Sequence, residues 1–122
     1  MPLAATLSRF HTPGPERVGL ILRNGEIVEL NNISGAPDNS FGVAPEEMIR
    51  YEGEAVATWH THPSGTAAIS TEDYLGFRMW PDLLHLIVGT DGVRGYTVKR
   101  NAVIQDASQD HPAWALEGFS PA

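Results

Sequence analysis

The feature that most constrains this chain is a strand that ends in two histidines. Residues 55–61, Ala-Val-Ala-Thr-Trp-His-Thr, read as a β-strand, and His60 and His62 flank a single residue at its end. Residues two apart on a strand point to the same face, with Cα atoms roughly 7 Å apart at a rise of about 3.3 Å per residue. Two imidazoles so placed suit one metal ion held about 2.0–2.1 Å from each ring nitrogen. After seven intervening residues comes Ser70-Thr71-Glu72-Asp73. This has the form of a helix start, with Ser70 as N-cap and Asp73 in the first turn. Asp73 can supply a third, anionic ligand. Two histidines and one carboxylate leave a position for water, the pattern of a catalytic site rather than a closed structural one.

The rest of the chain supplies elements to hold that run. Residues 2–10 have the pattern of a short amphipathic helix, stopped by Thr12-Pro13-Gly14-Pro15. Val18 to Leu22 is a buried-strand signal, Asn24-Gly25 a hairpin turn, and Ile27 to Leu30 the returning strand. Residues 34–44, rich in Gly, Pro, Asn and Ser, read as loop. Pro45 to Tyr51 reads as a short helix with proline in its first turn. The helix that begins after Ser70 is expected to run to about Met79 and stop before Pro81. His85 to Val88 is a further strand, Asp91-Gly92 a turn, Arg94 to Lys99 its partner, and Val103-Ile104 a short addition. Helices interleaved with hairpins imply an α/β fold: a mixed, largely antiparallel β-sheet flanked by helices. One domain is expected over residues 1–104, with 105–122 a weakly patterned tail.

Composition narrows the chemistry. A formal net charge of −7 disfavours binding to a phosphate backbone, so no nucleic-acid partner is expected. No stretch has the apolar length of a membrane span, and the first residues lack the pattern of a signal peptide. A cytoplasmic location is the expectation. The chain has no cysteine, which removes disulfides, thiolate ligands and a cysteine nucleophile together.

His60-x-His62, seven residues, then Ser70-x-x-Asp73 resembles the motif of the MPN/JAMM metalloprotease family, and Pro63 after the second histidine is also typical of it. Glu16-Arg17-Val18-Gly19-Leu20 fits the upstream context in which that family carries its catalytic glutamate. The resemblance runs from Glu16 to about Tyr96. It implies a JAMM or cytidine-deaminase-like architecture and a zinc-dependent peptidase or isopeptidase. The metal ligands would be His60, His62 and Asp73. Glu16 would be the general base and acid, and Ser70 a donor to the developing oxyanion. The implied substrate is a protein or peptide: the C-terminus of a ubiquitin-like protein or sulfur carrier, or a phage tail protein. A phage-encoded chain would be virion-associated. The segment from Ser70 to Pro81 looks closest to the small prokaryotic and phage tail-assembly branch.

Blander readings of the same residues exist. Ser70-x-x-Asp73 alone is a helix cap. Glu16 alone is an exposed turn acid, with Glu26 and Glu29 as rivals on a strand whose alternation turns them to solvent. His11, His85 and His111 have no partner at a useful spacing and read as ordinary. Trp59 reads as core rather than as a platform for substrate. Two other functions compete: a non-catalytic scaffold or tail-assembly component of the same fold, and a non-haem iron oxygenase, whose facial triad is also two histidines and a carboxylate. The oxygenase fits poorly, because here the histidine pair is tight and the carboxylate lies on a helix.

Overall fold

The computed structural model describes residues 3–36, 41–116 and 120–121. Helix α1 (Leu3–Leu7) runs into a 3-10 turn at Ser8–Phe10. The hairpin β1 (Val18–Leu22) and β2 (Glu26–Leu30) follows, then α2 (Pro45–Arg50), β3 (Ala55–Thr61) and α3 (Thr71–Phe77). β4 (Leu84–Gly89), β5 (Gly92–Lys99) and β6 (Ala102–Gln105) form a meander. A 3-10 turn at Pro112–Ala115 and the short β7 (Ser120–Pro121) end the chain. The strands make one sheet in the order β6-β5-β4-β3-β1-β2-β7. Pairing is antiparallel except between β3 and β4 and between β2 and β7. The fold is therefore α/β, with a mixed, largely antiparallel sheet flanked by helices. Among the described residues no helix is long and apolar enough to cross a membrane. Residues 37–40 of the expected loop, residue 2 of the expected first helix, and 117–119 and 122 of the expected tail lie outside the described residues.

Local chemistry explains the boundaries. Gly25 sits at φ 89° in the β1–β2 turn, a conformation natural for glycine and strained for other residues. The parallel β3–β4 pair requires a crossover, and α3 provides it. α3 stops at Phe77, two residues short of the expected Met79. The backbone N–H groups of Met79 and Trp80 instead reach back three residues, to the carbonyls of Gly76 and Phe77. Pro81 is the physical reason, because it disfavours helical geometry at the residue before it.

Strand alternation divides the core into two layers. On one face Leu3, Leu7, Ile21, Ile27, Trp59, Leu86 and Val88 pack beneath α1. Trp59 is fully buried, as expected of a core residue, and its Nε1–H donates to the Leu20 carbonyl at 3.3 Å. Gly19 makes room for it: a Cβ there would fall on the Trp59 ring and on the Val28 carbonyl oxygen. The other face holds two separate clusters. Leu20, Leu22, Val28 and Leu30 pack with Met48 of α2, while Ala67, Phe77, Ile87 and Tyr96 gather around α3. β3 runs between them, and His60 pairs there with Val18 on one side and Ile87 on the other. The polar site occupies this gap between two apolar clusters.

The segment after Gln105 is tied to the sheet where it is described. Ala113 joins the α1-side core, and a Cβ on Gly95 would strike the Trp114 ring. Asp106 organises the segment, accepting from the backbone N–H groups of Asp110 and His111 and from Trp114 Nε1. Ser120 and Pro121 pair with Glu26 and Ile27. A loop gathered around one carboxylate has no periodicity, so its sequence reads as a tail.

A candidate metal centre

Glu16 lies two residues before β1, and a backbone latch fixes its position. Arg17 N–H donates to Thr61 Oγ1 at 2.9 Å, and Thr61 N–H returns a bond to the Arg17 carbonyl at 2.8 Å. The Glu16 carbonyl also accepts from Asn32 Nδ2 at 2.9 Å. Thr61 is the unremarked residue between the two histidines. Alternation turns its side chain away from them, so nothing in the motif marks it.

His60 and His62 arrive from β3 and its first residue beyond. Their Nε2 atoms lie 3.2 Å apart. Asp73 comes from the first turn of α3, with Oδ1 3.0 Å from His60 Nε2 and Oδ2 3.1 Å from His62 Nε2. The Asp73 side chain is buried, and Phe41 covers His60 with ring centroids 4.6 Å apart. The ligand atoms of Glu16, His60 and His62 also lie within 4.8 Å of one another, making these three a group that could hold a metal ion.

The hydrogen bonds fix the character of the centre. His62 Nδ1 lies 2.8 Å from the Thr66 carbonyl, which can only accept, so Nδ1 carries a proton. A neutral His62 then presents a bare lone pair at Nε2. That lone pair faces His60 Nε2 at 3.2 Å and Asp73 Oδ2 at 3.1 Å, while His60 Nε2 faces Asp73 Oδ1 at 3.0 Å. An imidazole N–H shared with the carboxylate, or a metal ion, satisfies atoms so placed. Ligand atoms about 2.0–2.1 Å from a tetrahedral zinc stand about 3.3–3.4 Å apart. The observed contacts of 3.0, 3.1 and 3.2 Å are only slightly tighter. The donor set of two imidazoles and a carboxylate also suits zinc.

Acidities follow from the same geometry. Burial raises the Glu16 carboxyl from 4.5 to about 7; nearby Asp73 and Glu72 add to this and His62 opposes it. Burial also pushes the Asp73 carboxyl upward, but its bonds with His60 and His62 outweigh that and hold it far below the usual carboxylate range. His60 is pushed down by burial despite Asp73. His62 is raised, chiefly by its bond to Asp73.

Ser70 closes a reciprocal capping box. Its Oγ accepts from Asp73 N–H at 3.1 Å, while its own N–H donates to Asp73 Oδ2 at 3.2 Å. This cap turns the Asp73 carboxylate toward the histidines. Ser70 is exposed at the rim of the cleft. Its hydroxyl proton is not used by the cap, so capping and donation to a ligand are compatible.

The rival carboxylates are elsewhere engaged or outside the group. Glu29 is exposed and bound bidentately by Arg17, with contacts of 2.7 and 2.8 Å. Glu26 sits at the hairpin turn, its N–H held by Asn24. Two histidines that read as ordinary have structural roles. His111 caps the final 3-10 turn by accepting from Ala113 N–H, and buried His85 spans Thr58 and Trp80. His11 differs: its Nε2 donates to the His62 carbonyl at 2.9 Å, across 51 residues of sequence. No local spacing could have revealed that bond.

No protein-family model and no curated protein sequence matches the chain. The solution structure of a protein from Desulfitobacterium hafniense is similar, with a TM-score of 0.58 and 22% identity. The similarity covers 84% of this chain and 79% of that one. A likeness at this identity speaks for the fold and not for the chemistry of the cleft.

Proposed function

We propose that this chain is a zinc-dependent peptidase or isopeptidase acting on a protein or peptide. The observation that carries the reading is the convergence of His60 Nε2, His62 Nε2 and the two Asp73 carboxylate oxygens, at contacts of 3.0, 3.1 and 3.2 Å, beside a buried glutamate in an open cleft. His60, His62 and Asp73 would hold the ion. When bound, zinc supplies a water acidified toward a pKa of about 7 and a Lewis acid for a carbonyl oxygen.

The protein's own groups do the rest. Glu16 accepts a proton from the attacking water as its oxygen bonds to the carbonyl carbon, and delivers a proton to the leaving nitrogen as the C–N bond breaks. Burial strengthens Glu16 as a base, an effect that a bound divalent ion would partly offset. The Ser70 hydroxyl donates to the carbonyl oxygen as it gains charge. The dry walls of Phe41 and Phe77 strengthen these interactions.

The test is zinc content alongside cleavage of a panel of quenched peptides and a ubiquitin-like isopeptide conjugate. About one zinc per chain is expected in the wild type. Glu16→Gln should keep the zinc and lose about 10²–10⁴-fold in turnover. Ser70→Asn, which retains a good cap, should fold, hold zinc and lose about 10²–10³-fold in kcat. Zinc binding without cleavage of any substrate would favour a scaffold. Equal zinc in the wild type and the His60→Ala/His62→Ala double variant would sink the metal reading itself.

A further inference from the structure

The cleft above the metal centre has a volume of about 710 Å³. That is room for more than the reacting atoms, since whole ligands occupy sites of about 300–1,000 Å³. Its two banks differ from its floor. Leu30, Met48 and Ile49 form one bank, and Phe77 and Trp80 the other. Ile49 is 67% exposed and Trp80 45%, so the fold leaves large apolar side chains in water at the mouth. Grouped apolar exposure of this kind marks a binding surface more often than a scatter of single residues does.

Charge narrows the occupant. The cleft is lined by the carboxylates of Glu16, Glu72 and Asp73, and by no lysine or arginine among the described residues. A divalent ion would balance Asp73 and Glu16, leaving the exposed Glu72 as surplus negative charge at the rim. An acidic residue entering the cleft meets repulsion and no cationic side chain. An uncharged, bulky one meets apolar walls.

We propose that the bank formed by Leu30, Met48 and Ile49 is a specificity pocket for a bulky uncharged side chain beside the cleaved bond, and that Ile49 is its specificity-determining residue. The proposal rests on reading the site as a peptidase, since that reading supplies the bond. α2 suits the role. It is six residues long, has no fully buried side chain, and projects Met48 inward against Leu30 while Ile49 stays in solvent. Substitution at Ile49 therefore alters the pocket with little cost to the core.

The experiment measures binding rather than turnover. Acetyl-leucine, acetyl-alanine and acetyl-glutamate hydroxamates are titrated calorimetrically into zinc-loaded protein whose metal content has been measured. The leucine probe should bind about tenfold more tightly than the alanine probe, as expected for partial burial of its extra carbons. The glutamate probe should bind most weakly. Ile49→Ser should shrink the leucine preference to below about threefold while leaving the alanine probe unchanged. Met48→Ala gives a second route to the same loss from the inner side of the bank. Flat affinities across the three probes, or a leucine preference that survives both substitutions, overturn the pocket. The peptidase reading fails separately. Selective hydroxamate binding with no cleavage of any peptide keeps the pocket and removes hydrolysis, whereas a protein that takes up no zinc overturns both.

Discussion

His60 and His85 sit on the same face of neighbouring strands, both about 1% exposed, and do opposite things. Phe77 lies beside both, stacked on His85 at 4.3 Å between centroids and tilted against His60 at 6.0 Å. His85 is fully matched. Its Nε2–H donates to the Trp80 carbonyl at 2.9 Å, and its Nδ1 accepts from the Thr58 hydroxyl at 2.7 Å. A ring so satisfied needs no ion, and burial lowers its pKa to about 4. His60 instead points Nε2 at a second histidine and a carboxylate. The two rings share burial and residue type. They differ in their partners: His85 faces one carbonyl and one hydroxyl, whereas His60 shares its Nε2 with a second imidazole and a carboxylate, which makes it the candidate ligand.

The largest effect should come from asking each ring to give up the metal. His60→Ala removes one of three converging donors, and zinc per chain should fall from about one to near zero. His85→Gln, on the neighbouring strand, should keep close to one zinc. Elemental analysis after gel filtration decides the matter. Comparable metal loss in both variants would erase the distinction between the two rings.

Acid should break the matched ring. Its folded-state pKa of about 4 lies below the ordinary 6.5, so the unfolded chain takes up the proton first as pH falls. Stability from this group is present above pH 6.5 and is lost progressively as pH falls to about 4, by about 3 kcal/mol in total. Urea unfolding of metal-free protein at pH 7 and 4.5 should show that loss as a difference from His85→Gln, since Glu16, raised to about 7, gains stability over the same range. Imidazole NMR shifts should show His85 still neutral at pH 5.5. A His85 that titrates near 6.5 contradicts the assigned bonds.

The contrast between the rings also shows what the sequence could carry. The strands and turns were legible because short apolar runs and Asn24-Gly25 are local signals. His60, His62, Ser70 and Asp73 were legible because one strand end and one helix start fix their spacing within fourteen residues. Glu16 needed a resemblance to single it out from Glu26 and Glu29. Only the tertiary latch between Arg17 and Thr61 explains its place. His85 and His11 were opaque, because Thr58, Trp80 and the His62 carbonyl reach them from other elements. The packed segment around Asp106 escaped for the same reason. Its partners are backbone N–H groups and one indole, and these carry no periodic mark.

His11 offers an intermediate test of the centre. It touches the backbone of a proposed ligand rather than the ligand atoms, so it is a positioning residue. His11→Ala frees the His62 carbonyl and loosens the end of β3. Outer partners of metal ligands typically matter at the level of about 10–100-fold in affinity. Competition with a chelator should show zinc held more weakly by at least tenfold, with the melting temperature of the metal-free protein nearly unchanged. His11→Gln, which retains a donor, should recover part of the affinity. Unchanged zinc affinity in His11→Ala would confine His11 to packing.

The smallest expected effect on stability and zinc binding belongs to Ser70, whose Oγ takes up one N–H at the start of a seven-residue helix. Loss of such a cap costs about 0.5–2 kcal/mol. Here the cap also orients Asp73, because the Ser70 N–H holds Oδ2 while the histidines face both oxygens. Ser70→Ala removes the acceptor for the Asp73 N–H but keeps its own backbone bond to the carboxylate. The metal-free protein should lose about 1 kcal/mol in urea unfolding. Zinc should still bind, since all three ligands and the backbone restraint on Asp73 remain. Ser70→Asn should restore most of the stability through its side-chain oxygen. If Ser70→Ala stripped the zinc as thoroughly as His60→Ala, the capping hydroxyl would have to be counted among the groups that hold the metal.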